Sequence, residues 1–462
     1  MEEYDFLIIG SGPAGLNAAI QAARMDRSVM LVDQNQSPGG VTVHTGTLPS
    51  KTLREAILYL TGWRQRGFYG RGYRLKQEIT AEDLKRRLDI TINHEISLLE
   101  EQLHRHAIHR LTGIARFIDP YCMAIDHADD EVTEVRAKKI LLATGTRPRR
   151  PDDVPFDNST IIDSDGLLQM KRIPRNLIVF GAGVIGTEYS TMFNALDVDV
   201  TLIDEHDTML PFIDHEIREE LIHHLRDSGM TLRLGEKVRS ISKTGDGHAH
   251  VEFVSGRKLQ AEALLYAAGR IGCTSKLHIE NAGLVANERH QLKVNEHLQT
   301  AVAHIYAAGD LIGFPGLAST SMEQGRHAAS HAFGKDCPHE ASLFPFGIYS
   351  VPEISMVGLT EDELKKRSIA YEVGIARIRE TARGQILGLR EGLLKLLIGV
   401  EDRKILGVHI VGEGATELIH VGQAVMLLDG TVEYFVNNAF NYPTLAEAYK
   451  VAALEAWNRL GG

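Results

Sequence analysis

The chain has 462 residues, 44% of them hydrophobic and 24% charged, and a formal net charge of −11 at pH 7. That length is too great for one hydrophobic core and predicts several domains, while the negative balance argues against nucleic acid as a partner. No apolar run is long enough to span a membrane, and the start, MEEYDFLIIG, has two acids where a signal peptide would have bases, so a cytoplasmic protein without a membrane partner is expected.

The first element is YDFLII at 4–9, a strand-like apolar run followed by GSGPAG. Gly10, Gly12 and Gly15 have G-x-G-x-x-G spacing, a helix-like LNAAIQAARM follows, and SVMLV forms a second strand ending at Asp33. Each glycine has a mechanical role. The first permits the strand-to-helix turn, the second lets backbone approach a pyrophosphate, and the third lets helix and strand pack closely. The helix N-terminus offers free N–H donors to phosphate, and Asp33 is placed to accept a ribose hydroxyl.

Further along, LLEEQLHRH reads as a helix, with His104, His106 and His109 close in sequence. On such a helix His106 and His109 could share a face, but no matching ligand set accompanies them, so a solvated helix is preferred to a metal site. LLATGTRP (141–148) is a strand leading into a glycine turn at Gly145. The first fingerprint then recurs: NLIVF at 176–180 enters GAGVIG, with Gly181, Gly183 and Gly186, a helix follows, and VDVTLI ends at Asp204. One such glycine pattern is weak evidence, but two in full strand–helix–strand–acid context point strongly to two dinucleotide sites.

LLYAAGR (264–270) supplies another turn, at Gly269, and HIYAAGDL (304–311) is a strand ending at Asp310 that returns to the first dinucleotide domain. From about residue 340, FGIYSVPEISMVG, YEVGIARI and LLKLLIG alternate as an antiparallel sheet would, and LAEAYKVAALEAWNRL closes as an amphipathic helix. The cysteines, Cys122, Cys273 and Cys337, are far apart and fit reduced thiols without a disulfide framework or zinc site.

These motifs, with GG…GTLPSK at 39–51, GTEY after the second fingerprint and YPTLAEAY at 442–449, resemble the pyridine nucleotide-disulfide oxidoreductase family across nearly the whole chain. The resemblance implies an α/β fold with two Rossmann-like domains and an antiparallel dimerisation tail. The expected division is an FAD domain at 1–150 and 273–339, an NAD(P) domain at 151–272 and a dimerisation domain at 340–462. The likeness also implies FAD on the first fingerprint and NAD(H) or NADP(H) on the second. The residues expected at the cofactors are Gly10, Gly12, Gly15, Asp33, Gly40, Thr42, Thr47, Gly145, Asp310 and Ala318, with Gly181, Gly183, Gly186, Asp204 and Gly269.

The chain departs from the family in a coordinated way. The redox cysteines would stand at Thr42 and Thr47, and the acid–base histidine at Tyr442, while its carboxylate partner remains as Glu447. Thiol–disulfide exchange needs a thiolate and a proton donor for the leaving sulfur, so disulfide reduction is not expected. Lys51 and Glu188 are retained, and in the family they pair beside flavin N5, where lysine stabilises negative charge. Lys51, Glu188, Tyr442 and Glu447 are therefore the candidate catalytic residues, with no metal. Tyr442 either fills the lost histidine's space near a partner subunit's flavin or packs at the interface.

Segments 45–55, 313–326 and 440–454 match the transhydrogenase branch of the family. The implied reaction is ping-pong hydride transfer from NADPH to NAD+ through FAD in a homodimer or larger homo-oligomer. Asp204 stands against this reading, because an acid there favours NAD over a 2′-phosphate, and Glu205, His206 and Asp207 bring no arginine. The alternatives are an NAD(P)H oxidase or diaphorase using oxygen or a quinone, and a flavin-binding redox sensor without turnover.

Overall fold

A computed structural model describes residues 2–70, 72–335 and 343–461. Cys337 and the expected boundary at 339/340 lie outside the described residues. The chain forms two compact units, one built from residues up to Leu53 with Lys85–Arg149 and the stretch from Gly269, the other from Arg54–Leu84, Arg150–Ala268 and the C-terminal stretch.

The first unit is organised by a seven-stranded sheet. Glu2–Ile9 lies between Val29–Asp33 and Val132–Leu142, parallel to both, and His109–Thr112 extends the parallel edge. Ile305–Ala307 pairs parallel with Val132–Leu142, so HIYAAGDL does return to this sheet. The apolar run at 6–9 is continuous because both faces are covered. Leu7 and Ile9 enter one core with Met30, Val32 and Ile140, and Phe6 and Ile8 enter another with Leu31 and Leu141.

The histidine cluster behaves differently from expectation. The helix Ala81–Arg105 stops before His106, Ala107 takes φ +50°, and His109 opens the strand His109–Thr112. His106 and His109 therefore share no helix face, and His109 Nδ1 instead lies 3.2 Å from the Tyr4 hydroxyl.

The second unit holds a five-stranded parallel sheet ordered Thr231–Arg233, Asp199–Ile203, Asn176–Phe180, Ala263–Tyr266, Ile161–Asp163. A three-stranded antiparallel sheet of Val238–Lys243, Ala249–Phe253 and Lys258–Ala261 supplies Val251 and Phe253 to a core shared with Ile178 and Ile203. The tail forms an all-antiparallel five-stranded sheet, as its alternation predicts, with Ile405–Val411 as a central strand between Ile354–Gly358 and Leu393–Gly399. The closing helix Glu447–Arg459 buries Ala448, Ala452 and Ala456. A Cβ on Gly374 would lie 2.1 Å from the Ala452 carbonyl oxygen, so helix and strand meet backbone to backbone.

Candidate functional site: two glycine loops

The two fingerprints build nearly the same loop. Gly10 and Gly181 have φ +105° and +111°, and a Cβ on either would strike the backbone of Ala143 or Ala267, at 2.3 and 2.8 Å. A Cβ on Gly15 or Gly186 would fall 1.8 or 1.7 Å from the carbonyl oxygen of Gly10 or Gly181. Conformation and packing thus demand glycine at four positions.

Gly12 and Gly183 are different. Their φ values, −72° and −77°, suit any residue, and nothing lies within 4 Å of where a Cβ would sit. Among the described residues nothing requires glycine at these two positions. That open space is compatible with a group approaching the backbone from outside, as a pyrophosphate does in a dinucleotide fold. The helices Pro13–Ala23 and Val184–Ala195 start there without a side-chain cap, which leaves their first N–H groups to such an anion.

The acids serve the loops as well. Asp33 Oδ2 accepts from the Ser11 amide and hydroxyl, both at 2.7 Å, and its Oδ1 accepts from the Asn35 amide at 2.8 Å. Asp204 Oδ2 accepts from the Ala182 amide at 2.6 Å, and its Oδ1 accepts from His206 N and lies 2.8 Å from His206 Nδ1. A carboxylate offers roughly four acceptor positions, so each acid keeps room for a ribose hydroxyl while it pins its loop. The hydrogen bond that the protonated ring donates to Asp204 raises the His206 pKa above its ordinary value.

In the first unit, Gly39 N donates to Ser11 O at 2.9 Å, and a Cβ on Gly40 would lie 2.8 Å from Gly12 Cα. The helix Gly40–His44, with Thr42, therefore begins directly against the loop, and Thr47 opens the helix Thr47–Leu60, with Lys51 one turn in and half-buried. The Gly145 turn has φ +66°; next to it, Thr146 Oγ1 donates to Asp310 Oδ2 at 3.2 Å and accepts from Arg270 Nε at 2.9 Å. Arg149 N donates to Gly269 O, which brings the Gly145 and Gly269 turns together. Ala318 opens the helix Ala318–Ala332, whose Gly325 would place a Cβ 2.0 Å from Ala14 O, so this helix docks tightly on the first fingerprint helix. Sequence reading missed Ser11 and Thr146, although both stand inside the motifs it used.

In the second unit, Glu188 is buried in the helix Val184–Ala195, and its Oε1 accepts from the Tyr349 amide at 2.8 Å. Tyr442 is 73% exposed. Glu447 opens the closing helix, and its Oε2 is buried without a hydrogen-bond partner among the described residues. Asp214, Glu216 and Glu361 form the one acidic group among the described residues with metal-ligand spacing. The ammonium of the buried Lys395 sits there, 2.9 Å from Asp214, 2.7 Å from Glu216 and in contact with Glu361.

Residues 4–325 match the family model "pyridine nucleotide-disulphide oxidoreductase", and 344–453 match the dimerisation domain of the same family. A Mycobacterium tuberculosis protein named soluble pyridine nucleotide transhydrogenase is 51% identical over 461 residues, 100% of this chain and 98% of the relative. An Escherichia coli protein of the same name is 43% identical over 462 residues, 99% of each chain. Among solved structures, LpdA from Mycobacterium tuberculosis superposes with a TM-score of 0.89 at 26% identity, covering 98% of this chain and 99% of that one. The HOCl-induced flavoprotein disulfide reductase RclA from Escherichia coli has a TM-score of 0.87 at 26% identity, with the same coverage.

Proposed function

This chain belongs to the pyridine nucleotide-disulphide oxidoreductase family, and from that premise we propose that it is a flavoprotein oxidoreductase carrying hydride from NADPH to NAD+ in two half-reactions, without a redox disulfide. The observation that carries this reading is the pair Gly12 and Gly183, each left open on the backbone side where a pyrophosphate would lie. Two such cradles suit two dinucleotides. The relatives named transhydrogenase support the choice of substrates.

When bound, FAD supplies a two-electron carrier between one nicotinamide and the next. The chain's own residues hold and shield the reactants. The loop at 10–15, with Asp33, Gly40 and the Thr146–Asp310 pair, binds the flavin dinucleotide. The loop at 181–186 takes NADPH and NAD+ in turn, with Asp204 on the ribose. Lys51 provides a positive charge where negative charge develops, and Glu188 is a fixed, buried carboxylate in the helix above the second loop. Thr42 and Thr47 offer no thiolate, and Tyr442 no proton donor of histidine type, so no sulfur step enters. Catalysis is then positioning plus electrostatics. The match of 344–453 to a dimerisation domain supports a homodimer, and no described helix is long and apolar enough to cross a membrane; we place the protein in the cytoplasm.

Anaerobic stopped-flow spectroscopy tests this. NADPH should abolish the flavin's visible absorbance, and NAD+ added afterwards should restore it. An absorbance that NADPH leaves untouched, or that only oxygen restores, rules the reading out.

A further inference from the structure

Arg233 is a cation that lies outside the stretch following Asp204 in sequence. It ends the strand Thr231–Arg233, whose register sets it against Ile203, the residue before Asp204. Pairing continues beyond the strand ends: Asp204 N donates to Arg233 O at 3.0 Å, Gly235 N to His206 O at 2.8 Å, and Glu236 N to Asp204 O at 3.2 Å. Arg233 thereby stands opposite Ile203 at one strand spacing, about 4.8 Å, with its carbonyl oxygen accepting from the Asp204 amide. Arg233 and Asp204 both lie at the carboxyl edge of the parallel sheet, the edge where open α/β sheets take ligands.

The three-stranded sheet delivers a turn to the same edge, with Val254 N donating to Lys237 O at 2.9 Å. A cavity of about 410 Å³ opens there, lined by Arg233, Phe253, Arg257, Lys258 and Leu259. Three of these five residues are cations, and Phe253 and Leu259 wall the rest. Arg257 already faces Glu236 at 3.4 Å. Arg233 Nε, by contrast, is buried with no hydrogen-bond partner among the described residues. A buried donor left unpaired carries a desolvation cost that an anion in the cavity would relieve.

We propose that this cavity is the subsite for the 2′-phosphate of NADP(H), with Arg233 as its main donor and Lys258 as its second cation. The proposal rests on the reading that the second fingerprint takes NADPH. It answers the objection raised by Asp204, since the offsetting charge comes from the neighbouring strand rather than from Glu205, His206 and Asp207, which follow the acid. The planar guanidinium also suits a phosphate better than an ammonium does, because it can donate two parallel hydrogen bonds.

The test is calorimetric binding of 2′,5′-ADP and of 5′-AMP to the flavin-loaded protein, with inorganic phosphate as a competitor. Arg233→Met should weaken 2′,5′-ADP about 10- to 100-fold and leave 5′-AMP within about twofold. Arg233→Lys should recover part of the loss. Lys258→Met, an exposed change that does not threaten folding, should weaken 2′,5′-ADP by a smaller factor, again sparing 5′-AMP. Equal weakening of both ligands, unchanged 2′,5′-ADP binding in Arg233→Met and Lys258→Met, or phosphate binding at Arg233 that does not compete with 2′,5′-ADP would each overturn the proposal. Failure of the parent reading looks different: in the wild-type protein NAD+ would not restore the absorbance removed by NADPH, whatever 2′,5′-ADP does.

Discussion

The two glycine loops share a blueprint but differ in how they are enclosed. Around the first, Gly39 and Gly40 cover the loop, the Ser11 hydroxyl adds a second bond to Asp33, and Asp33 is only 9% exposed. Around the second, Gly183 is exposed, and the Asp204 carboxylate shares its edge with a His206 side chain that is 86% exposed. A covered loop suits a group that stays, and an open one suits a substrate that must leave each cycle. Under the proposed function, the same local sequence pattern would serve retention in one unit and exchange in the other, and the observed difference lies in what packs over the loop.

The strongest way to break this comparison is to fill each cradle. Valine at position 12 or 183 meets no atom of the described residues within 4 Å of its Cβ, so both variants should fold. Gly12→Val should purify without flavin. Gly183→Val should keep its flavin and its yellow colour, while NADPH reduces it at least about 100-fold more slowly. Absorbance spectra and anaerobic reduction rates separate the outcomes. If the two variants behave alike, the division into retained and exchanged ligands is wrong.

A second effect, which leaves both cradles intact, concerns the charge that the proposed function sets beside the reacting centre. Lys51→Met should retain flavin but slow reduction by NADPH about 10²- to 10³-fold, the range seen when one preorganised electrostatic donor is removed. Single-turnover rates would show this as a loss in the reduction step, with dinucleotide affinity preserved. A fall in affinity without a fall in rate would make Lys51 a binding residue.

The second unit is anchored by a buried ion cluster. Asp214 caps the helix His215–Asp227, and Lys395, wholly buried, ties it to Glu361 and Glu216. Lys395→Met strands these carboxylates and should cost about 3–5 kcal/mol, nearer the lower figure because Glu216 remains half exposed and screened. Burial disfavours the charged form of Glu361, but hydrogen bonds from Lys395 and Tyr371 outweigh it and hold its pKa at about 2. A depressed carboxylate stabilises above its ordinary pKa of 4.5, and this stabilisation is lost as pH falls toward 2. The melting temperature of the wild type should therefore drop across that window. In Lys395→Met the slope should flatten or reverse, because protonation now relieves the stranded charges. Parallel slopes would mean that the lysine does not govern these acids.

Much of this was legible in the residues because it depends on local rules. Three glycines in G-x-G-x-x-G spacing after an apolar run, then an acid at the end of the next strand, specify a loop whose geometry the chain must adopt, and alternation in the tail specifies an antiparallel sheet. Arg233 was not legible, since it reaches Asp204 through a strand register set by a helix and a crossover between them. The His106–His109 expectation failed for a local reason: the helix ends at Arg105, with Ala107 in the left-handed region, and periodicity alone does not reveal that stop. Lys395 reads as one position in the apolar run LLKLLIG, and only the tertiary fold shows that three acids from other segments surround its ammonium.

The smallest effect, and the one that sharpens the comparison most finely, lies in the openness of the second loop. His206 hydrogen-bonds Asp204, and this contact holds its pKa above the ordinary histidine value. When protonated, His206 offsets the Asp204 charge, which eases the approach of a 2′-phosphate and leaves NADH nearly unaffected. The ratio of kcat/KM for NADPH over NADH should thus rise as pH falls through the histidine's titration, by about twofold to fivefold, as expected for a screened surface pair. The 2′-phosphate titrates near the same range, so the informative quantity is the difference between the wild type and His206→Gln, in which the phosphate's own contribution cancels. Identical pH profiles would assign the dependence to the ligand and leave the burden of phosphate recognition on Arg233 and Lys258.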